Sequence, residues 1–406
     1  MRVFLVGAAL VSSALAAPIV NGTRRPERER LVVGGGGINS IWRPDSAILE
    51  MYRGFGPNGV KVITAAGSNP IGDGTQLVNL MAQAGISAQW IPIHDVNCNV
   101  NAFNPDIVAM IDEADAIFYG GGQSGRLQSC LYGDYSQSGI EVQPGQTTPV
   151  LEALWRKEIV GGSSAGAMNQ PMSEILVTGH SVESYAAVSQ GAVFQRNAGN
   201  RMLETEELVD SHFSERGRQG RLMIIGMNTG VMHAYGVDED AAYVWRPSGE
   251  IEVICEAVRD GIKGGVVVYV NTVGTPQAQS ANMHFLTEGD RFNPNTGEIT
   301  YNPDKTPCET GPLPDPITNI FTGVNYRTAS LRMSQGPVGG SVSNYHGSPA
   351  VEVRFTKIGP TVAMCGVSGQ SFANLLVEQF QTAQDGRRGV KPHGLPQDFM
   401  WEWDEL

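Results

Sequence analysis

Short apolar segments that end in tight turns and alternate with helical stretches are the feature that most constrains the fold of this chain. Two such segments, 30–33 and 116–119, run into the glycine-rich turns at 34–37 and 120–123. A third lies at 60–66, and a helical spacing of apolar residues follows it at 77–84. This alternation predicts a three-layer α/β fold with helices on both faces of a parallel sheet. Functional residues collect at the carboxyl ends of such strands.

The charge and hydropathy of the chain exclude two kinds of partner. Lys and Arg number 28 against 41 Asp and Glu, so the formal net charge is −13, and no long basic run offsets it. Nucleic acids bind through clustered positive charge, so we expect no nucleic-acid partner. After the first sixteen residues no apolar run reaches the length of a membrane span, so we also expect no membrane partner.

The N-terminal residues predict a secretory leader. Arg2 precedes an apolar stretch over 3–15, and Ala14-Leu15-Ala16 supplies the small residues of a cleavage site. We therefore expect a signal peptide at 1–16, a linker at 17–30 and a secreted protein. The sequon Asn21-Gly22-Thr23 predicts N-glycosylation at Asn21. The ending Trp403-Asp404-Glu405-Leu406 resembles retrieval signals, which makes the endoplasmic reticulum lumen the alternative location.

The cysteine count fits an oxidising compartment. Five cysteines allow up to two disulfides and one thiol, and their spacing leaves the pairing open: Cys98, Cys130, Cys255, Cys308 and Cys365. None of them has C-x-x-C spacing, so we expect neither a zinc site nor a redox motif.

The texture of the chain changes after about residue 270. Residues 31–270 carry the strand and helix patterns, with further strands predicted at 223–227, 242–245 and 265–270 and a loop at 124–149. From 272 to 349 the chain is dense in Pro, Asn, Gly and Thr. We therefore expect a catalytic domain at 31–270 and a loop-rich accessory segment at 271–406. A strand-like pattern at 351–355 and a helix-like one at 375–380 suggest that this segment packs back on the domain.

The sequence Gly162-Ser163-Ser164-Ala165-Gly166 contains G-x-S-x-G, the pattern that lifts a serine onto a sharp strand-to-helix turn. A serine hydroxyl is a weak nucleophile until a base takes its proton and the turn exposes it to substrate. The backbone amide of Ala165 would help to stabilise a developing oxyanion. Ser164 is therefore the candidate nucleophile.

A candidate base and a candidate acid follow Ser164 in the chain. His212 stands in a polar stretch after a short apolar run, and Glu239 lies in an acidic turn that follows Gly236. An acid that reaches Nδ1 of a histidine orients it as a base. The chain order Ser, His, acid differs from that of the α/β-hydrolases, which argues against a lipase-like esterase.

Residues 210–222 read D-S-H-F-S-E-R-G-R-Q-G-R-L, with arginines at 216, 218 and 221. Together with the elbow at Ser164 and the turn at 236–239, this run resembles the cyanophycinases. These are S51 serine peptidases of the class I glutamine-amidotransferase-like superfamily, with a flavodoxin-like fold. The resemblance covers about 31–270, and the arginine run is its most specific part, because the related aspartyl dipeptidases share only the elbow.

The resemblance implies roles for these residues. It implies that Ser164 is the nucleophile, His212 the base and Glu239 its orienting acid, and that Gly122 helps Ala165 to form the oxyanion hole. It further implies a set of residues that contact substrate or shape its pocket: Gln123, Asp210, Arg216, Arg218 and Arg221. Guanidinium groups bind carboxylates bidentately, which suits a substrate rich in aspartate.

The chain departs from the family at one turn. The family's Gly-Gly-Asp-Gln is Gly120-Gly121-Gly122-Gln123 here, so an acid is missing. The loop at 124–149 and the segment after about residue 271 also look like additions to the family pattern, and they could reshape the pocket. The sequence therefore constrains the substrate less than it constrains the type of reaction.

We therefore expect an exported serine hydrolase that acts on cyanophycin-like polymers or on β-aspartyl (isopeptide) bonds and yields β-aspartyl-arginine. The expected partner is a peptide or polypeptide bearing Asp and Arg, and a homodimer is a family expectation. The acyl-enzyme route needs neither a metal nor a cofactor. One alternative is an aspartyl dipeptidase that acts on short peptides. The other is a secreted binding or storage protein on a catalytically decayed peptidase fold.

Overall fold

The computed structural model describes residues 30–33, 52, 58–133, 147–171, 181, 199–200, 202, 207–246, 248–255, 258–259, 262–275, 278–346 and 350–382. The predicted leader, the linker up to residue 29, Asn21 and the C-terminal Trp403-Asp404-Glu405-Leu406 lie outside the described residues. In the described part of the chain, no helix combines the length and apolar character that a membrane crossing needs.

The described strands are β1 (Arg30–Val33), β2 (Val60–Ile63), β3 (Ala88–Trp90), β4 (Ala116–Tyr119), β5 (Ile159–Gly162), β6 (Leu208–Asp210), β7 (His233–Val237), β8 (Ala241–Trp245), β9 (Ile251–Cys255), β10 (Val258–Arg259), β11 (Ile262–Lys263), β12 (Val266–Thr275), β13 (Ala278–Leu286), β14 (Arg291–Phe292), β15 (Ile299–Thr300), β16 (Thr306–Pro307), β17 (Gly339–Tyr345), β18 (Ala350–Gly366) and β19 (Gly369–Thr382). The described helices are α1 (Pro70–Gln83), α2 (Cys98–Asn101), α3 (Pro105–Glu113), α4 (Ser124–Leu131), α5 (Pro149–Trp155), α6 (Ala165–Met168), α7 (Gln219–Thr229) and α8 (Asn325–Gln335).

The first sheet has nine strands in the order β15-β14-β9-β8-β1-β5-β4-β2-β3. The strands from β1 to β3 in this order run parallel to one another. Beyond β1 the sheet continues through β8, β9, β14 and β15, which pair antiparallel. Every residue of β2 and of β4 is buried, as expected for parallel strands covered on both faces.

Helices cover both faces of the parallel strands. Val62 of β2 and Phe118 of β4 belong to a cluster that contains Met81 of α1. Their neighbours in the chain point the other way, and Ile117 joins a second cluster that contains Ile111 of α3 together with residues of α5. Successive strand residues thus contact different helices, because side chains alternate across a strand. The predicted α/β fold is confirmed.

The helices that flank the parallel strands begin with a common local pattern. An Asn or Thr side chain caps the helix and a proline follows it, at Asn69 before α1, Asn104 before α3 and Thr148 before α5. The cap oxygen accepts a hydrogen bond from an amide in the first turn, and proline suits the first helical position because its missing N–H would find no partner there.

The second sheet has eight strands, in the order β16-β18-β19-β13-β12-β7-β6 with β17 paired to β18. All of its pairs are antiparallel except β6 with β7. Helices α7 and α8 contact this sheet through β12 and β18 respectively. Their apolar residues, including Leu222 and Met333, share one buried cluster with side chains of β13, β18 and β19.

The prediction of a loop-rich segment after residue 270 was wrong for much of its length. Strand β12 crosses the predicted boundary, and β13, β18 and β19 are long strands in the same sheet as β6 and β7. The prediction fits 301–318, where β16 is the one strand. Prolines and asparagines around these strands hid them, and polar residues on their half-exposed face weakened the apolar signal.

Three local predictions were also wrong. Residues 223–227 were predicted as a strand but lie in α7, because a run buried on all sides shows no period that separates strand from helix. Residues 375–380 lie in β19 rather than in a helix. The predicted loop at 124–149 begins with α4 and ends with the start of α5, while 134–146 lie outside the described residues.

The chain forms two disulfides, one between two helices and the other at the second sheet. Cys98 of α2 pairs with Cys130 of α4, and Cys308, which follows β16, pairs with Cys365 of β18. Cys255 is buried and takes part in neither disulfide.

Candidate active site

Ser164 lies on the tight turn between β5 and α6. Its φ of 54° and ψ of −119° are unfavourable for a residue with a side chain. Small neighbours allow the turn, since a β-carbon at Gly166 would lie 2.4 Å from the carbonyl oxygen of Tyr119 and one at Gly162 would lie 2.3 Å from that of Gly166. The turn presents a half-exposed hydroxyl at the carboxyl end of β5.

His212 joins Ser164 to Glu239. The imidazole Nε2 lies 3.0 Å from Oγ of Ser164, and Nδ1 lies 2.8 Å from Oε1 of Glu239. An ionised Glu239 accepts a hydrogen bond from Nδ1–H, which leaves the lone pair of Nε2 facing the serine hydroxyl. The structure therefore brings the three residues together in the order that general-base activation of a serine requires.

The surroundings of His212 favour its neutral form. Burial lowers the pKa of His212, and the charges of Arg216 and Arg218 lower it further, while the hydrogen bond to Glu239 opposes them. Only the neutral imidazole accepts the proton of Ser164, so this balance keeps the base available at mildly acidic pH.

Glu239 belongs to an acidic turn whose three members have different roles. Glu239 is half-buried and reaches His212, whereas its neighbours Asp238 and Asp240 are buried. Asp238 accepts hydrogen bonds from the amides of Ser214 and Gly265, at 2.9 Å and 3.2 Å. The three acids form one cluster in the sequence. In the structure Glu239 faces the histidine, whereas Asp238 binds backbone amides.

The glycine turn after β4 lies against Ser164. A β-carbon at Gly121 would lie 3.0 Å from Cβ and 3.7 Å from Oγ of Ser164. Gly122 has a φ of 134°, and a β-carbon there would lie 2.2 Å from the carbonyl oxygen of Ala66. The acid that the family resemblance led us to expect at this position would therefore not fit this backbone. The amide of Gln123 donates to the same carbonyl at 2.8 Å and fixes the turn.

The two predicted oxyanion donors have available amides. Among the described residues, neither the Gly122 nor the Ala165 N–H donates a hydrogen bond. Ala165 directly follows the nucleophile candidate, and Gly122 follows the glycine that touches it. The Gln123 side chain is half-buried beside this turn and does not cap α4.

The arginine run divides into a buried and an exposed part. Arg221 is 1% exposed and binds both carboxylate oxygens of Asp210, which is itself 0% exposed. Arg218 donates from Nη1 to Asp210 at 3.1 Å and to the carbonyl of Ser211 at 2.8 Å. Arg216 is exposed. Of the two roles that the resemblance implies, substrate contact or shaping of the pocket, the burial of Asp210 and Arg221 fits the second, since their contacts hold the backbone beside His212.

The sequence reasoning missed two residues beside this site. Glu215 accepts a hydrogen bond from the Glu239 amide through Oε2 at 3.1 Å. Burial, reinforced by the charge of Asp238, raises the pKa of Glu215 to about 8. Arg327 of α8 lies 2.7 Å from Asp238. Glu215 stood within the recognised run, but nothing in the pattern around Arg327 pointed to the site.

The described residues contain no group of three or more His, Cys, Asp or Glu side chains placed to hold a metal ion.

Comparisons with known proteins give the site a family context. No family model matches the chain. A cyanophycinase from Geminocystis herdmanii (strain PCC 6308) is 26% identical over 247 residues, which are 58% of this chain and 83% of that protein. A cyanophycinase from Nostoc sp. (strain PCC 7120 / SAG 25.82 / UTEX 2576) is 24% identical over 249 residues, 58% of this chain and 74% of that protein.

Among solved structures, a peptidase from an acI-B1 Actinobacterium superposes with a TM-score of 0.45 and 20% identity, over 66% of this chain and 96% of that one. The sequence relatives carry the assignment, since they match the chain over most of their own length. The similarity to these cyanophycinases therefore supports a cyanophycinase-like peptidase of the S51 type.

Proposed function

We propose that the chain is a serine peptidase that hydrolyses the aspartate backbone of a cyanophycin-like polymer, so that arginine stays on the β-carboxyl groups and β-aspartyl-arginine is released. The observation that carries this proposal is the continuous contact from Ser164 through His212 to Glu239, at 3.0 Å and 2.8 Å. The fold would accordingly be the class I glutamine-amidotransferase-like variant of the α/β sheet.

The proposed reaction uses an acyl-enzyme. His212 Nε2 takes the Ser164 proton while Oγ attacks the scissile carbonyl, and the amides of Gly122 and Ala165 stabilise the resulting oxyanion. The imidazolium then donates that proton to the leaving amine as the carbon–nitrogen bond breaks. Water, deprotonated by the same imidazole, hydrolyses the ester and returns Ser164 to its starting state.

The charged groups near His212 support an aspartate-rich substrate. Arg216 is exposed, and Arg218, which binds Asp210, keeps 11% of its side chain exposed, so both have some access to solvent. We propose that these two guanidinium groups and the Gln123 side chain meet the carboxylates and amides of the polymer, because arginine binds carboxylates with matched geometry. Asp210 and Arg221, which are buried, would support this surface from the protein interior.

We also propose that the protein is exported. The leader pattern at 1–16 supports this, and so do the two disulfides, which persist in oxidising compartments. N-glycosylation at Asn21 and a homodimer belong to the same proposal, with the sequon and the family resemblance as their support. Retention in the endoplasmic reticulum lumen is the alternative location.

The test is to incubate the purified protein with cyanophycin and, separately, with dipeptides that begin with aspartate, and to identify products by mass spectrometry. Wild type should release β-aspartyl-arginine from the polymer, and Ser164→Ala should release none. Arg216→Ala and Arg218→Ala should each cause a severe loss on the polymer. Cleavage of the dipeptides alone would assign the chain as an aspartyl dipeptidase, and binding of the polymer without product would assign a binding protein.

A further inference from the structure

A buried arginine from the C-terminal part of the chain reaches the acidic turn of the candidate site. Arg327, on α8, is 0% exposed. Its Nη1 lies 2.7 Å from Oδ2 of Asp238 and 3.9 Å from Oε1 of Glu215. Arg327 therefore faces the two carboxylates that lie behind His212 and Glu239.

The first of these carboxylates joins the two segments that carry the candidate base and acid. Asp238 directly precedes Glu239, and its Oδ1 accepts a hydrogen bond from the Ser214 amide at 2.9 Å, two residues beyond His212. Burying such a carboxylate without a cation would be costly. Arg327 supplies that cation, so the Asp238 link between the two segments depends on it.

The second carboxylate holds Glu239 directly. Oε2 of Glu215 accepts a hydrogen bond from the Glu239 amide at 3.1 Å, and its other oxygen is the one that faces Arg327. Burial and the charge of Asp238 raise the pKa of Glu215, and the charge of Arg327 opposes this rise, so Arg327 favours the ionised form of Glu215. Arg327 thus faces both the carboxylate that joins the two segments and the side chain that binds the Glu239 amide.

The backbone around Arg327 also packs closely on the histidine segment. A β-carbon at Gly217, five residues after His212, would lie 1.9 Å from the carbonyl oxygen of Phe321. Phe321 and Phe213 belong to one buried cluster. This contact places the chain just before α8 directly against the loop that presents His212.

We propose that Arg327 is a positioning residue for the His212–Glu239 pair, and that it acts through Asp238 and Glu215. The inference rests on the proposed function, because it assigns a task only where Ser164 is activated by His212. The C-terminal segment thereby contributes to the reaction although it supplies no group that touches the serine.

The experiment measures kcat and KM on cyanophycin, together with the rate at which a fluorophosphonate probe labels Ser164, in wild type and two variants. Arg327→Gln should lower kcat and the labelling rate by about 10- to 100-fold, with KM changed less than about threefold. Arg327→Lys keeps a cation for Asp238 but loses the reach of the guanidinium, so it should lower both rates by about three- to tenfold.

A matched control removes a different buried cation from the same part of the chain. Lys305 lies 2.6 Å from Asp290, and both side chains are 0% exposed. Lys305→Met should lower Tm but leave kcat within about twofold of wild type. The far-downfield proton resonance of the His212 Nδ1–H should persist in Lys305→Met and weaken or shift in Arg327→Gln.

The outcomes separate this inference from the proposed function. A reactive wild type whose kcat is unchanged in a folded Arg327→Gln overturns the positioning role alone, and so does an equal kcat loss in Lys305→Met. Should Arg327→Gln not fold, a wild-type kcat in Arg327→Lys overturns it. A wild type that neither labels nor turns over overturns both proposals, since there would be no base to position.

Discussion

Arg221 binds Asp210 in a buried bidentate pair, with Nε 2.9 Å from Oδ2 and Nη2 2.7 Å from Oδ1. Asp210 ends β6 and lies two residues before His212. Three arginines that look equivalent in the sequence therefore do different work. Arg221 secures the backbone next to the candidate base, while Arg216 faces solvent where substrate would arrive.

Arg221→Met should destabilise the protein strongly. The substitution leaves Asp210 buried without its bidentate partner, and breaking a buried pair in this way costs about 3–5 kcal/mol. Urea unfolding measures the loss. Arg216→Ala is the control, because removing an exposed side chain should change the free energy of unfolding by less than about 0.5 kcal/mol while raising KM on the polymer. Equal free energies of unfolding for Arg221→Met and Arg216→Ala would contradict the division of the arginine run into a buried and an exposed part.

The pH dependence of kcat/KM should show an acidic limb below the ordinary histidine pKa of about 6.5. Burial lowers the pKa of His212, so the neutral base persists as the pH falls past that value. Steady-state rates across pH measure this limb, since kcat/KM reports the free enzyme. A limb above the ordinary value would contradict the burial of the imidazole.

Glu239→Gln should shift the acidic limb of kcat/KM, and the direction of the shift tests whether Glu239 is the partner of His212. The hydrogen bond and charge of Glu239 raise the pKa of His212, so their removal should shift the limb to still lower pH. Turnover should fall by about 10²- to 10⁴-fold, because the imidazole loses its orientation and the stabilisation of its charged form. A limb that moves to higher pH would show that Glu239 is not the partner of His212.

Gly122→Asp, which introduces the acid expected from the family resemblance, should damage this protein. A β-carbon there would lie 2.2 Å from the carbonyl oxygen of Ala66, at a φ of 134°. We expect a loss of about 1–3 kcal/mol in stability and a lower kcat, because the turn moves away from Ser164. Gly125→Asp is the control, since no atom lies within 4 Å of a β-carbon at that position in the first turn of α4. Thermal unfolding and turnover are measured for both variants. Losses in Gly122→Asp that are no larger than those in Gly125→Asp would contradict this prediction.

The backbone strain at Ser164 should be measurable. Glycine tolerates a φ of 54° and a ψ of −119° far better than a residue with a β-carbon does. Ser164→Gly should therefore be more stable than Ser164→Ala by about 1 kcal/mol, although both lose turnover. Denaturant unfolding of the two inactive variants makes the comparison without substrate. A Gly variant less stable than the Ala variant would mean that the turn is not strained.

The parallel sheet and the serine turn were predictable because their signals are local. Short buried strands enter glycine turns, and Gly162 and Gly166 are required within a few residues of Ser164 by close backbone contacts. The positions of His212 and Glu239 were inferred from the run at 210–222 and from the turn at 236–239, and the structure brings His212 to Ser164 and Glu239 to His212.

The second sheet and the Arg327 contacts were not predictable in this way. Strand β18 contains Gly359 and Pro360 where its pairing with β19 shifts register, so its pattern is interrupted. Arg327 meets Asp238 across 89 residues of sequence, and no spacing rule covers such a distance. The spacing of the arginines likewise does not tell which of them turns inward, because that depends on where α7 begins.

The central claim is that His212 activates Ser164 as a nucleophile. The most direct measurement is to treat the native protein with a fluorophosphonate, locate the modified residue by peptide mass spectrometry, and repeat the reaction with His212→Ala. We predict stoichiometric labelling of Ser164 in the wild type and almost none in His212→Ala. Labelling at another serine, or labelling of Ser164 that is equally fast without His212, would contradict the claim.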